Sequence, residues 1–359
     1  MAINQIIANS PVILFLGAGA SAALGKPTMK EFVSKLKKES SHYPEGRLLL
    51  LTAAARDNDL ELILNDIETF LNIPYVSSLN YDPVFLQAKY DPTGEEIEEI
   101  SMQREDAEQL RHIIRHRIIQ EYRHIDANKA AEVYDPLFDV IFPAVDPALH
   151  CLPIFTSNYD LAIETFCKSQ YSGYELTDGL EHDWFKREEV FWDPSNFESF
   201  RIQREARHIV LFKLHGSVNL MRATDSGKII QAPPMYDAID SDAYQNMIIY
   251  PAGNKVAINE PYVTGYRYFS QCCEHTKLIL AIGYSFRDYD TLSSIIRAME
   301  VNENISLALL SPNAWKILES IPVMEIYQKN PIYGNFGDPK DSSEYLKSIK
   351  LWINSKLAR

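Results

Sequence analysis

The feature that most constrains the fold of this chain is a short apolar segment that runs directly into glycines. Residues 11–16 are a compact run of mainly apolar side chains, which predicts a buried β-strand. Gly17-Ala18-Gly19-Ala20-Ser21-Ala22 follows, and then a helix-like stretch at 28–38. A glycine turn between strand and helix is typical of open α/β sheets, where backbone amides approach a phosphate. The same pattern also fits a tight structural turn.

Strand and helix patterns alternate through the second half of the chain. Helices are predicted near 161–170, 262–275 and 290–300, between five further strands. The strands are predicted at 153–156, 209–214, 247–250, 277–282 and 305–310. This alternation predicts an α/β fold, a Rossmann-like, mostly parallel sheet with helices on both faces. The stretches 171–200 and 225–241 have weak periodicity and are interpreted as long loops or covers.

The chain is predicted to be one domain, residues 1–359, with a helical insertion. Apolar residues repeat at three- and four-residue steps between about 47 and 123, which indicates an all-helical insertion at about 40–150. A short helical tail is predicted at about 341–357. Its apolar side fits packing either on the core or on a partner.

Composition and charge exclude several functional classes. The 35 Lys and Arg against 49 Asp and Glu give a net charge of -14, which disfavours direct nucleic-acid or anionic-membrane binding. The four cysteines form no C-x-x-C pair, so we expect no zinc module and no metal. The first residues lack a secretion-signal pattern, and the early apolar run is too short to span a bilayer. A cytoplasmic protein is therefore predicted.

Three polar segments follow predicted strands. They read Thr156-Ser157-Asn158-Tyr159-Asp160, Lys213-Leu214-His215-Gly216-Ser217 and Gly283-Tyr284-Ser285-Phe286-Arg287-Asp288. Together with the first glycine turn, they should converge on one edge of a parallel sheet, where such sheets bind ligands. Both aspartates that end a segment also fit simple helix caps. Asn158 has no such structural explanation, and His215 is the best placed of the nine histidines. These two are the candidate reactive groups.

A hydride-transfer dehydrogenase is disfavoured by the same segments. That class needs a second short strand ending in Asp or Glu about 20 residues after the glycine turn, to bind the adenine ribose. Here a helix and then the helical insertion follow the turn.

The order of these motifs resembles the sirtuin family over residues 11–315. It looks more closely like the sirtuin-like effectors of bacterial antiphage defence, whose segments read T-x-N-Y-D, D-G, K-L-H-G-S and G-Y-S-F-x-D. All four segments occur here, with Asp178-Gly179 as the D-G pair. The resemblance implies an NAD+ glycohydrolase that cleaves NAD to nicotinamide and ADP-ribose and depletes NAD when triggered.

The resemblance also implies roles for individual residues. Asn158 and His215 would be catalytic, with possible support from Asp160. The NAD-binding residues would be Gly17, Ala18, Gly19, Ser21, Thr156, Gly283, Ser285 and Asn313. Two departures from deacetylating sirtuins put peptide deacetylation in doubt. Gly25-Lys26-Pro27-Thr28-Met29-Lys30 replaces the G-I-P-D-F-R segment, and the zinc-binding cysteines are missing.

Assembly and alternative functions are also predicted at this level. We expect a homo-oligomer and, because only about 45 residues follow Asn313, a partner in trans; comparable chains accompany a HerA-type ATPase. Three other functions remain open. They are a non-catalytic sensor of NAD or ADP-ribose, a nuclease subunit of a defence complex, and a deacylase.

Overall fold

The architecture was analysed in a computed structural model. It describes residues 6, 10–40, 56, 58–71, 104–145, 151–168, 173–181, 190–199, 206–232, 241, 243–249, 259–302, 304–321 and 329–358.

Seven of the described strands form a sheet in which every neighbouring pair is parallel. Its order is β11-β10-β9-β1-β2-β5-β3. The strands span β1 Val12–Leu16, β2 Cys151–Thr156, β3 Tyr174–Thr177, β5 Arg207–Lys213, β9 Leu278–Ile282, β10 Ser306–Leu310 and β11 Lys329–Ile332. The prediction of a Rossmann-like, mostly parallel sheet is confirmed.

Helices cover both faces of this sheet. On one face, side chains such as Leu14 and Ile154 join a core with helices α5 (Ala127–Ile141), α6 (Ala162–Lys168) and α11 (Pro339–Leu357). On the other face, Phe15 and Phe155 pack their rings 5.4 and 5.0 Å from Phe269 of α8 (Tyr262–His275). Strands buried on both faces explain why their sequences are continuous apolar runs rather than alternating ones.

The remaining described helices are short or connect the strands. They are α1 Ala18–Ala22, α2 Met29–Ser40, α3 Leu60–Leu71, α4 Arg104–Arg123, α7 Ser195–Ser199, α9 Tyr289–Val301 and α10 Ala314–Glu319.

A second, four-stranded antiparallel sheet contains two strands from the stretches interpreted as loops, one strand that overlaps the predicted strand at 247–250, and the unpredicted strand that follows His215. Its order is β4-β7-β6-β8, with β4 Phe191–Trp192, β6 Gly216–Ala223, β7 Ile229–Gln231 and β8 Tyr244–Ile248. The interpretation of 171–200 and 225–241 as loops and covers was therefore wrong in part, since they contain β3, β4 and β7. These strands are two to four residues long, too short to produce a periodicity.

Contacts divide the chain into two compact units. The first is Met1–Lys26, Glu121–Ile248 and Val256–Arg359, and it contains both sheets; the second is Pro27–Gln120 and Ile249–Lys255. Within the second unit, Glu68 of α3 forms ion pairs with Arg111 and Arg115 of α4. The description as one domain with an insertion at about 40–150 stays a prediction, although α5 of that range packs in the sheet core.

Candidate functional site

The four motif segments follow strands whose ends lie side by side. In the sheet register Leu16 is paired with both Ile282 and Thr156, and Thr156 with Lys213. The segments after β9, β1, β2 and β5 therefore start at the same edge of the sheet, as the sequence predicted. Every residue of this site belongs to the first unit.

The segments after β1 and β9 interlock through glycines. The backbone N–H groups of Gly17 and Gly19 donate to the carbonyls of Ile282 and Gly283, each at 2.9 Å. A Cβ atom added to Gly19 would lie 2.6 Å from Gly283 Cα, and one added to Gly17 would lie 2.6 Å from Tyr284 Cα. Glycine is thus required at both positions because the two backbones are in contact. The amides of Gly17 and Gly19 already donate hydrogen bonds within the protein.

Asn158 is fixed at the start of the loop that follows β2. Its side-chain Nδ2 donates to the carbonyl of Gly17 at 2.8 Å, and its backbone N–H donates to Thr156 Oγ1 at 3.0 Å. Thr156 is buried and itself donates to the Leu16 carbonyl at 2.9 Å. Within the described residues the Asn158 Oδ1 accepts no hydrogen bond, so the half-buried carboxamide presents an acceptor to a ligand.

Asp160 has two structural partners. Its Oδ1 accepts from the N–H of Ala162 at 2.9 Å at the start of α6, which is the helix cap that the sequence indicated. Its Oδ2 accepts a short hydrogen bond from the hydroxyl of Ser21. Ser21 and Asp160 are both buried, at 5% and 4% exposure. Their contact joins the loops after β1 and β2.

His215 lies in a polar cluster directly after β5. Its Nε2 is 2.7 Å from Asp288 Oδ2 and 3.3 Å from the hydroxyl of Tyr266. Asp288 Oδ2 also accepts from Thr291 Oγ1 at 2.9 Å, and its Oδ1 accepts from the N–H of Asp290 at the start of α9. His215 as a whole residue is 5% exposed. One ring nitrogen of His215 is therefore hydrogen-bonded to a carboxylate, and the cluster is largely shielded from water.

The other predicted site residues lie at the surface of this edge. Ala18 and Ser285 are exposed, and Gly283 is half-buried with φ of 61°. Asn313 is exposed and precedes α10 at the end of β10, next to β9 in the sheet. No contact joins Asn313 to Asn158 or His215.

Asp288 and Tyr266 were missed as site residues by sequence reasoning. Asp288 was interpreted as a helix cap, and the structure shows that cap. Its hydrogen bond to His215 joins residues 73 positions apart, so no local sequence pattern could have indicated it. Tyr266 lies inside α8, where an aromatic residue is ordinary. In the sheet β5 and β9 are separated by β1 and β2, so the segments that follow these strands, and not the strands themselves, make the contact between His215 and Asp288.

A family model matches part of the chain. Residues 153–322 match the SIR2-like domain. The matched range contains Asn158, His215, Asp288 and Asn313, whereas the glycine turn of β1 precedes it. No match was found among curated proteins.

Solved structures of Sir2 homologues are similar to the whole chain at low identity. One, a mutant Sir2 homologue in complex with ADP-ribose, has 13% identity and a TM-score of 0.46, covering 98% of this chain and 97% of that chain. Another, a Sir2 homologue in complex with NAD, has 13% identity and a TM-score of 0.41, covering 98% and 94%.

Two features are absent from the residues that the structure describes. Among them no helix is long and apolar enough to cross a membrane. In the same residues, His, Cys, Asp and Glu form no group of three or more that could hold a metal ion.

Proposed function

We propose that this protein is an NAD+ glycohydrolase that cleaves NAD to nicotinamide and ADP-ribose. The observation that carries the proposal is the pair of His215 and Asp288, which lies at the sheet edge within the residues matching the SIR2-like domain. A buried imidazole on a carboxylate is a typical arrangement for moving a proton near neutral pH. The motif order, with T-x-N-Y-D and K-L-H-G-S, supports the same reaction.

The chemistry requires little more than orientation and a proton acceptor. The nicotinamide of NAD is a pyridinium cation that leaves as a neutral molecule, while positive charge develops on the ribose. Asn158 Oδ1 is placed to accept a hydrogen bond from a ribose hydroxyl or from water. Because a carboxylate only accepts, His215 Nε2 donates to Asp288, and Nδ1 becomes the atom that takes up a proton.

NAD would lie across the edge formed by the segments after β1, β9 and β10. The exposed Ala18, Ser285 and Asn313 are the proposed direct contacts. Gly17, Gly19 and Gly283 keep the two backbones close enough for this surface to form. The buried Ser21 and Thr156 would act through Asp160 and Asn158, to which they are hydrogen-bonded.

The proposed biological role is that of an antiphage effector that depletes NAD on a trigger. The 5% exposure of His215 supports a site that is closed at rest, which an enzyme acting on a central metabolite would need. The proposed assembly is a homo-oligomer with a HerA-type ATPase in trans. High turnover by unstimulated, isolated protein would contradict this part of the proposal.

The reaction is tested by incubating the purified protein with NAD, with and without candidate activators, and separating the products by chromatography. Nicotinamide plus ADP-ribose is expected, without any acyl-lysine peptide. Asn158→Ala and His215→Ala should each lower nicotinamide release by about 10²-fold or more while NAD binding is retained. His124→Ala, at an exposed histidine, is the matched control and should keep full turnover.

Two results would contradict parts of this proposal. NAD binding without nicotinamide release under any condition would indicate the sensor. Parental turnover by His215→Ala would remove His215 from the mechanism.

A further inference from the structure

A lysine–glutamate pair lies beneath the loop that contains Asn158. Lys213 is the last residue of β5, and its Nζ is 2.8 Å from Oε1 of Glu164 on α6. The two side chains are only 10% and 8% exposed. Both charged groups are therefore well shielded from solvent.

The ammonium group of Lys213 binds the backbone of the loop as well as Glu164. It donates to the carbonyl of Asp160 in a short hydrogen bond, approaches the carbonyl of Tyr159 at 3.3 Å and donates to Ser217 Oγ at 2.9 Å. All three N–H groups of the ammonium therefore have acceptors. Two of these acceptors are the peptide carbonyls that directly follow Asn158.

The pair is poorly explained by stability alone. Removing two charges from water costs free energy that their attraction often fails to recover, and apolar replacements of similar volume are commonly as stable. Burial raises the pKa of Glu164, although Lys213 opposes this shift. In the described part of the chain, Glu164 Oε2 accepts no hydrogen bond. An apolar pair would avoid these costs, but it would remove the ammonium donor from the Asp160 carbonyl and leave the Tyr159 carbonyl with the Val218 N–H as its donor.

We infer that Lys213, held in place by Glu164, is a positioning residue that fixes the Tyr159–Asp160 backbone and thereby the orientation of the Asn158 carboxamide. The role deepens the proposed function and rests on it for its effect on turnover. Its effect on the loop itself does not depend on that function. Two amide hydrogen bonds, from Val218 N–H to Tyr159 O and from Ala162 N–H to Asp160 Oδ1, allow the order of the loop to be measured without turnover.

The test compares Lys213→Met with the double variant Lys213→Met and Glu164→Leu. The single variant leaves a carboxyl buried without its cation and should lower the melting temperature. The double variant removes both charges and should recover much of that loss. Its kcat for nicotinamide release should nevertheless stay about tenfold or more below the parent, with KM for NAD within about twofold, since the loop has lost its donor.

Hydrogen exchange supplies the second readout. Exchange at the Ala162 and Val218 amides should speed up about tenfold in the double variant, while the strands of the parallel sheet keep their protection. Lys350→Met, at an exposed lysine of α11, should change neither readout. Glu164→Gln keeps the side-chain volume and an acceptor, and should show the same pattern at smaller amplitude.

Parental exchange in the double variant, or in Glu164→Gln if the double variant does not fold, would overturn the inference. So would parental kcat in an enzyme that does release nicotinamide. If the parent releases no nicotinamide, the proposed function fails, and the exchange data alone decide the role of Lys213.

Discussion

At the scale of single residues, two aspartates in this site each combine a helix-capping contact with a contact to a distant residue. Asp160 caps α6 and binds Ser21, while Asp288 caps α9 and binds His215. The capping half of each pair could be predicted from the sequence, because a cap depends on residues two or three positions away. The contacts with Ser21 and His215 could not be predicted, because they join residues that are 139 and 73 positions apart in the sequence.

Because Asp288 both caps a helix and contacts His215, a substitution can keep the first role and change the second. Asparagine caps helices as well as aspartate does, so Asp288→Asn should leave the melting temperature nearly unchanged. Its amide can donate to His215 Nε2 and would favour the tautomer with the proton on Nδ1, so nicotinamide release should fall by about 10²-fold or more. Asp288→Ser, which also caps but cannot hold the ring, should be impaired as well. Parental turnover in both would show that the pair is only structural.

His208 predicts a pH dependence of stability. It is 3% exposed and hydrogen-bonds Thr177, and burial lowers its pKa from 6.5 to about 4. The ring is therefore neutral near pH 7, and its 3.3 Å contact with Glu175 is not an ion pair there.

As the pH falls below 6.5, His208 takes up a proton in the unfolded state but not in the folded state. The free energy of unfolding should therefore fall between pH 6.5 and about 4. The slope from this group is at most about 1.4 kcal/mol per pH unit. Urea unfolding at several pH values should show that His208→Gln lacks this contribution, whereas His124→Gln, at an exposed site, retains it. Equal slopes in His208→Gln and the parent would contradict the assignment.

At the scale of elements, the strands of the parallel sheet were predictable and the small antiparallel sheet was not. Buried parallel strands are continuous apolar runs, and five of the seven were located to within about two residues at either end. β6 was missed because it begins three residues after β5 ends and contains the polar Asn219 and Arg222. The chain passes from one sheet to the other at Leu214-His215-Gly216, which places His215 between them.

Gly216 should be indispensable for that passage. It has φ of 87°, and an added Cβ would overlap the carbonyl oxygen of Met247 on β8. Gly216→Ala should therefore lower the free energy of unfolding by about 2 kcal/mol or more. Gly227→Ala is the matched control, since Gly227 has φ of 68° but open space around it, and should cost about 1 kcal/mol. Urea unfolding measures both, and similar losses would mean that only the backbone angle matters.

At the scale of the whole molecule, alternation of strands and helices predicted the fold class but not the strand order. The order places β1 between β2 and β9, and only contacts between distant segments determine it. The C-terminal helix was open to two interpretations, packing on the core or on a partner. The structure places it on the core, where Tyr345, Ile349, Trp352 and Ile353 are buried.

Trp352 connects this last helix to the sheet. Its ring is 7% exposed, and Nε1 donates to Ser306 Oγ of β10 at 3.1 Å. Trp352→Ala should lower the free energy of unfolding by about 3–5 kcal/mol, because it leaves a large cavity and a lost hydrogen bond. The neighbouring Leu351 is 60% exposed, and Leu351→Ala should stay within about 0.5 kcal/mol. Thermal or urea unfolding distinguishes the two, and a small loss for Trp352→Ala would argue that α11 is peripheral.

The central position of β1 also has a consequence for synthesis on the ribosome. Leu14 pairs with Ile154 on one side and with Leu280 on the other, so β1 is completed by a strand that is made much later. At about 5–20 residues per second, β1 waits on the order of tens of seconds for its second neighbour. During that interval the nascent chain displays a fully apolar strand with an open edge, which is a template for aggregation and a ligand for chaperones. The rate of translation between β2 and β9 therefore sets how long each new molecule is exposed to misassembly.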